Sequence, residues 1–269
     1  AGVINLMKNS RIKTFARSKV VIDIGAGKGQ DLGKYFNANI GHVVAIDADA
    51  AALAELIRRK YTHAKTSKTP SKVHVIVADI NDGYAQLLPQ LQSINIAPNT
   101  ADIIVCNLAV HYFLQTIASA KNFIDFITHT LRVGGRLVLT IFDGNLIHDM
   151  LMANGITEGK SWDIFEGSPP VRKYSIQRMY SSDTLEPVGQ QIGVQLPFSR
   201  GGYYTEFLTN PKYLIAELEM RNFKLTDRSC ASDMISEFAM RNGSKKRSIT
   251  DGDTQWLSLY GELEFTRMS

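Results

Sequence analysis

Val21-Ile22-Asp23-Ile24-Gly25-Ala26-Gly27-Lys28-Gly29-Gln30-Asp31 reads as a short buried strand, over 20–24, running into a glycine-rich turn that opens a helix over 30–36. Glycines directly after a buried strand let the backbone turn sharply and bring its N–H groups and a helix N-terminus close to a ligand. Outward from this point, strands and helices alternate. Residues 42–46 form a second apolar strand and 48–60 an alanine-rich helix. Residues 73–77 and 102–107 are further strands, and Ile103, Ile104 and Val105 in succession suit a strand covered on both faces. Residues 118–131 carry apolar side chains at helical spacing, Arg132-Val133-Gly134-Gly135 breaks the pattern, and 136–142 is a fifth strand. This rhythm predicts an α/β fold: a Rossmann-like, doubly wound, mostly parallel sheet with right-handed crossovers.

The second half changes character. Residues 173–180 and 190–196 alternate apolar and polar side chains, with Ile192, Val194 and Leu196 on one face. They read as antiparallel strands joined by a turn-rich segment, 182–189. A helix over 211–220, a strand over 223–228 and a helix over 232–241 follow. A last strand is expected over 256–265, with Leu257, Leu259, Leu263 and Phe265 on one face. Residues 61–72, 153–170 and 241–253 read as exposed loops, none biased enough to be a linker. The expectation is one domain over 1–269. Its cofactor half covers about 1–150, and an antiparallel insertion after the fifth strand, with the C-terminal elements, covers about 151–269.

A chain of 269 residues with 44% hydrophobic and 21% charged side chains can bury a full core without disulfide or metal staples. Cys106 and Cys230 sit in no metal-ligand spacing, which suggests a reducing compartment. The opening AGVINLMKNSRIKTF lacks the apolar core of a signal peptide, and no apolar stretch is long enough to span a bilayer. A cytoplasmic location without a membrane partner is therefore expected. The net charge of +4 suits a polyanionic partner and equally a basic protein without one.

Asp47 lies near the end of the second strand, where a carboxylate can accept both hydroxyls of a ribose. Dinucleotides and S-adenosylmethionine are both held this way. Asp23, just before the first glycine, would repel a pyrophosphate and attract an ammonium and a sulfonium. Asp79, just past the third strand, is placed to reach an adenine edge. An aspartate at each of three successive strand ends points to S-adenosylmethionine, with a dehydrogenase as the alternative on the same fold.

These motifs together resemble the mRNA cap guanine-N7 methyltransferases, most of all the methyltransferase domains of capping enzymes from large cytoplasmic DNA viruses of the asfarvirus and poxvirus type. The resemblance runs over about residues 5–265. The family's Asp-Leu/Ile-Gly-x-Gly-Lys-Gly-x-Asp-Leu run is matched from Asp23 to Leu32, and its Asn-x-x-Ile-Lys element by Asn9-Ser10-Arg11-Ile12-Lys13. Its His-Tyr signature appears as Asn107-Leu108-Ala109-Val110-His111-Tyr112. Leu196-Pro197-Phe198-Ser199 and Tyr204-Thr205-Glu206-Phe207-Leu208 resemble the element that holds the guanine. Three departures stand out. Thr140-Ile141-Phe142-Asp143-Gly144-Asn145 lacks the cap-contacting proline, Phe207 replaces a tyrosine, and Gln30 stands where a third glycine is common.

The resemblance implies a class I S-adenosylmethionine-dependent methyltransferase, with S-adenosylhomocysteine as product and GpppN-capped RNA as acceptor. It implies cofactor contacts from Lys13 (to the methionine carboxylate), Asp23, Gly25, Gly27, Asp31, Asp47, Asp79, Ile80, Asn107 and Tyr112. The cap would be met by His111, Tyr112, Glu206 and Tyr260. Lys28 and Lys34 are candidates for the triphosphate, solvated helix-start lysines being the alternative. Asn242-Gly243-Ser244-Lys245-Lys246-Arg247 reads either as a contact to RNA backbone or as a basic loop. Triphosphatase and guanylyltransferase domains of one longer polypeptide, and a stimulatory subunit, are implied as partners. A start at Ala1 fits an excised domain, and a viral origin would place it in host cytoplasm or virion.

Guanine N7 has an exposed lone pair and no proton to lose, so in-line attack on a sulfonium methyl needs alignment rather than a base. No metal, covalent intermediate or obligatory acid–base residue is expected. Glu206 would accept from guanine N1–H and the exocyclic amine, a two-point contact that adenine cannot offer. Three other readings stay open. One is ribose 2′-O-methylation, which usually centres on a lysine that is missing after Asn107. The others are a small-molecule N-methyltransferase and a non-catalytic subunit of the same fold.

Overall fold

A computed structural model of the chain describes residues 2–64, 71–197, 199, 202–242 and 249–269. The five expected parallel strands are β1 (Val20–Ile24), β2 (His42–Asp47), β3 (Lys72–Val77), β4 (Ala101–Asn107) and β5 (Leu131–Phe142). They lie in one seven-stranded sheet that is completed by β10 (Phe223–Cys230) and β11 (Tyr260–Arg267). The order is β10-β11-β5-β4-β1-β2-β3, with β11 antiparallel to both its neighbours. Ile22, Ile24, Ile104 and Cys106 bury into the core on one face, and Val21, Ile103 and Val105 into that on the other. The strands are apolar without alternation because helices cover both faces. These helices are α1 (Gly2–Lys13), α2 (Leu32–Asn37), α3 (Ala50–Ala64), α4 (Tyr84–Ser93), α5 (Ile117–Thr130) and α7 (Pro211–Glu219).

After β5 comes α6 (Gly144–Ala153), which starts where the Asp143 carboxylate accepts from the Asn145 and Leu146 N–H groups. The antiparallel insertion follows as a four-stranded sheet: β6 (Ser161–Glu166), β7 (Val171–Arg178), β8 (Gln191–Gln195) and β9 (Tyr204–Phe207). Ile176, Ile192 and Val194 pack from it onto Phe142, Ile147 and Trp256. The chain then returns to the main sheet through β10, α8 (Ile235–Asn242), α9 (Asp251–Leu257) and β11.

The structure corrects several boundaries. The expected strand over 256–265 is a helix up to Leu257 and a strand only from Tyr260. Thr250 and Asp253 cap α9 reciprocally, and Trp256 stacks on Tyr174 at 4.6 Å, so helix geometry wins over the apolar alternation. The exposed stretch 153–170 contains β6, and α1, α4, α6 and β9 are further elements, of which α4 carries Tyr84, Leu87, Leu88 and Leu91 at helical spacing. Arg132–Gly135 is a four-residue detour inside β5: Leu131 pairs with Ala101 and Arg136 with Ile103. Phe198, residues 65–70 of the first loop and 243–247 of the basic stretch lie outside the described residues. No helix among the described residues is long and apolar enough to cross a membrane.

Candidate active site

The glycine turn needs its glycines. Gly25 has φ +70°, and a Cβ there would lie 2.4 Å from the Ala109 Cβ, so the loop after β4 can press directly on the loop after β1. A Cβ on Gly27 would project into open space. Its N–H donates to one Asp47 carboxylate oxygen at 2.7 Å, while the Asp49 N–H donates to the other at 2.8 Å. Asp79 ends the strand-to-turn passage after β3 by accepting from the Asn81 N–H at 2.9 Å. Asp47 and Asp79 therefore present fixed carboxylates to a cleft of about 540 Å³, whose walls also include Gly25, Gly27, Ile80 and Tyr112. No lysine, arginine or histidine is among its described walls. Such a lining suits hydroxyls, an amine or a cation and disfavours a pyrophosphate.

Asp23, Asp31 and Asn107 stand behind this cleft rather than on its walls. Asp31, 7% exposed, accepts from Lys8 Nζ at 2.8 Å, from Lys34 and from Asn107 Nδ2 at 3.0 Å. Thr140 Oγ1 donates to the other end of the Asn107 amide. Burial opposes the Asp31 charge, but the two lysines outweigh it and hold the carboxyl below its usual range. Asp23 is deeper and less compensated. Burial first, then the neighbouring Asp31, push it up to about 7.

Two lysine expectations are corrected by this packing. Lys13 is exposed at the end of α1, and the buried lysine of that helix is Lys8, which pairs with Asp31. Five residues along a helix turn the side chain by roughly 140° and carry it about 7.5 Å further, so both cannot face the glycine turn. Asn5-Leu6-Met7-Lys8 is the signal in the sequence that could have pointed to it. Lys34 is bonded to Asp31 and mostly buried, which removes it as a free charge for a triphosphate. Lys28 is exposed, and no ion pair engages it among the described residues.

Beyond β4 the chain enters the 3-10 turn Val110–Phe113 through Leu108, a non-glycine residue at φ +59°. That backbone conformation costs of order 1–2 kcal/mol and is held by the Leu108 N–H donating to Thr140 O at 2.8 Å. It turns His111 and Tyr112 toward the carboxyl edge of the sheet. Tyr112 stands 61% exposed at the cleft mouth, its ring 4.0 Å from that of His111. His111 is buried, with Nδ1 3.8 Å from Glu206 Oε2 and Nε2 lacking any hydrogen-bond partner among the described residues. Burial lowers His111 to about 4, so it is neutral at ordinary pH, and pushes Glu206 up to about 7. Both sit on a recess of about 120 Å³ with Leu108, Phe142, Leu196 and Tyr260. The Tyr260 hydroxyl is raised by burial and then by Glu206, and its ring stacks on Phe142 at 4.6 Å. Phe142 thus occupies the wall of a segment in which the sequence lacks a proline. Sequence reasoning singles out neither Leu108 nor Phe142, and only the left-handed turn and the ring stack reveal them.

Among the described residues, no three His, Cys, Asp or Glu side chains gather as a metal-binding group.

The family model described as mRNA (guanine-N(7))-methyltransferase domain matches residues 3–166. The chain is 34% identical over 263 residues to the mRNA-capping enzyme of African swine fever virus, covering 97% of this chain and 30% of that protein. It therefore spans under a third of the length of that relative. It is 29% identical over 164 residues to mRNA cap guanine-N(7) methyltransferase 1 of Arabidopsis thaliana, covering 58% and 42%. Among solved structures, the glycopeptide N-methyltransferase MtfA complexed with S-adenosylmethionine superimposes with a TM-score of 0.55 at 12% identity, covering 100% of this chain and 95% of that one. The fold is that of the S-adenosylmethionine-dependent methyltransferases, and the chain belongs to the mRNA (guanine-N(7))-methyltransferase domain family.

Proposed function

We propose that this chain transfers a methyl group from S-adenosylmethionine to guanine N7 of GpppN-capped RNA. The observation that carries this reading is Glu206: a half-buried carboxylate on the wall of a small recess, with neutral His111 beside it and no lysine or arginine paired to it among the described residues. A partly desolvated carboxylate without a partner is costly, and a guanine edge supplies the two donors it lacks. Leu108 belongs to the walls of both the recess and the cofactor cleft, so a base in one lies against a ligand in the other.

The cleft fits the cofactor on its own chemistry: two fixed aspartates for hydroxyl and amine groups, and an open glycine backbone. When bound, S-adenosylmethionine supplies an electrophilic methyl on a sulfonium. Glu206 and His111 orient the base, Tyr260 and Phe142 restrict its tilt, and Tyr112 closes the junction. Because N7 bears no proton, these residues contribute alignment, which is worth up to about 7–11 kcal/mol. Asp23, Asp31, Lys8 and Asn107 brace the glycine turn from behind.

Residues 1–269 would act as one methyltransferase unit, with the 161–207 insertion supplying Glu206. Triphosphatase and guanylyltransferase domains elsewhere in a longer polypeptide, a stimulatory subunit, and action in the cytoplasm complete the proposal. Transfer of labelled methyl groups to GpppA followed by nuclease digestion tests it. Label is expected in 7-methylguanosine, and label on ribose would overturn it.

Asp47→Ala is expected to weaken S-adenosylhomocysteine binding about tenfold to hundredfold for each ribose hydroxyl that no longer meets the carboxylate. Calorimetric titration checks this, and unchanged affinity would refute a ribose contact. Lys8→Met should lower the same affinity at least tenfold by freeing Asp31, whereas Lys13→Met should stay within twofold. Equal effects of the two would contradict the reassignment.

A further inference from the structure

Leu108 lies where three cavities meet. It lines the cofactor cleft, the Glu206 recess and a third cavity of about 470 Å³. The third cavity also shares Leu196 and Tyr260 with the recess, and reaches from there toward the start of α1 and toward α9. A cofactor and a guanine would occupy the first two and leave this one open.

Its chemistry is specific. One wall is aromatic: Trp256 and Tyr174 stack at 4.6 Å with ring planes 9° apart, next to Tyr260. The Asn5 and Gln30 amides stand exposed along it. Asp253 adds a carboxylate, which Lys173 and the Tyr174 hydroxyl hold at about 2 against the effect of burial. Lys8 is the one cation among the described walls, and Asp31 already neutralises it at 2.8 Å. Among the described walls, a phosphate chain would meet a carboxylate and no spare positive charge. A nucleoside would meet aromatic side chains, two amides able to donate or accept, and a carboxylate for an exocyclic amine or ribose hydroxyl.

We propose that this third cavity receives the first transcribed nucleoside of the capped RNA while the cap guanosine occupies the Glu206 recess. The inference rests on the guanine reading of that recess. Both nucleosides then share Leu108, Leu196 and Tyr260 as a common wall. The triphosphate joining them would have Lys28, exposed two residues before Gln30, as its nearest candidate cation.

The test is calorimetric titration of the S-adenosylhomocysteine-loaded protein with GpppA and with its abasic analogue, in which hydrogen replaces adenine and the charge is unchanged. The natural chain is expected to bind GpppA at least tenfold more tightly than the abasic analogue. Gln30→Trp, which fills the cavity from an exposed position, and the double variant Asn5→Ala with Gln30→Ala should each remove most of that preference and leave abasic binding within twofold. Equal affinity of the natural chain for both ligands, or an equal loss of both in the variants, would overturn the nucleoside site and leave the guanine reading standing. Failure of both ligands to bind would overturn the guanine reading and this inference with it.

Discussion

Glu206→Ala is expected to lower kcat/KM for a capped acceptor by about two to four orders of magnitude while S-adenosylhomocysteine affinity stays within about twofold. The variant removes two hydrogen bonds to a charged acceptor, each worth about 1.5–3 kcal/mol. Glu206 is not among the walls of the cofactor cleft, so that ligand is held as before. Glu206→Gln should recover little, because its amide presents a donor to a guanine edge that is itself all donor at N1 and the exocyclic amine. The natural chain should also show a titration. The guanine contact needs the ionised carboxylate, whose pKa stands at about 7. Charge, and with it acceptor binding, is therefore present above that value and lost as pH falls through it. From pH 7 to pH 6 the KM for GpppA should rise about fivefold, as the ionised fraction drops. His111, lowered to about 4, and Tyr112 and Tyr260, both raised, do not titrate in that window. Asp23, also at about 7, stands behind the cofactor cleft and outside the recess, so its titration should act on cofactor affinity. It is separated by measuring S-adenosylhomocysteine binding over the same pH range. Steady-state kinetics over pH 5.5–8 decides it. A KM independent of pH, or a parallel loss of cofactor binding in Glu206→Ala, would remove Glu206 from guanine recognition.

Asp31→Ala should lower stability by about 3–5 kcal/mol. It leaves Lys8, 8% exposed, without its counter-charge, strips Lys34 of its partner, and takes from Asn107 the acceptor of its amide N–H. For a chain of this size that corresponds to a fall in Tm of roughly 6–20 °C. Removing the stranded charge as well, in Asp31→Ala with Lys8→Met, should return part of the loss, since the two changes share one interaction. Thermal unfolding followed by circular dichroism measures both. If the single variant melts within 2 °C of the natural chain, or the double variant melts lower by the sum of its parts, the buried pair does not hold α1 against the glycine turn.

Much of the main sheet is legible in the residues alone. β1 to β5 carry unbroken apolar runs because both their faces are covered, and the chain turns at the carboxyl edge through glycine, aspartate or asparagine. The position of Asp47 and Asp79 follows from that rule alone. The antiparallel insertion is visible through the alternation of Ile192 and Val194. Less legible are helices whose register is set by partners far away. α9 resembles strand because Trp256, Leu257 and Leu259 are all apolar, although its reciprocal Thr250–Asp253 cap is itself a readable signal. α1 offers two lysines near asparagines, and nothing local to the helix says which of them turns inward.

The sequence by itself determined the Rossmann-like sheet, the glycine turn and the strand-end carboxylates, because these depend on local periodicity and on backbone conformations open only to particular residues. Family resemblance added the His111, Tyr112 and Glu206 set. Only the tertiary structure decided that Lys8 rather than Lys13 faces Asp31, that Lys34 is spent on the same carboxylate, and that Leu108 joins three cavities. Those facts depend on which side of a helix packs inward and on contacts between residues far apart in the chain, such as Lys8 with Asp31 and His111 with Glu206. Periodicity reports how much of a helix is buried, whereas charge pairing across the core fixes which of its residues meets which partner.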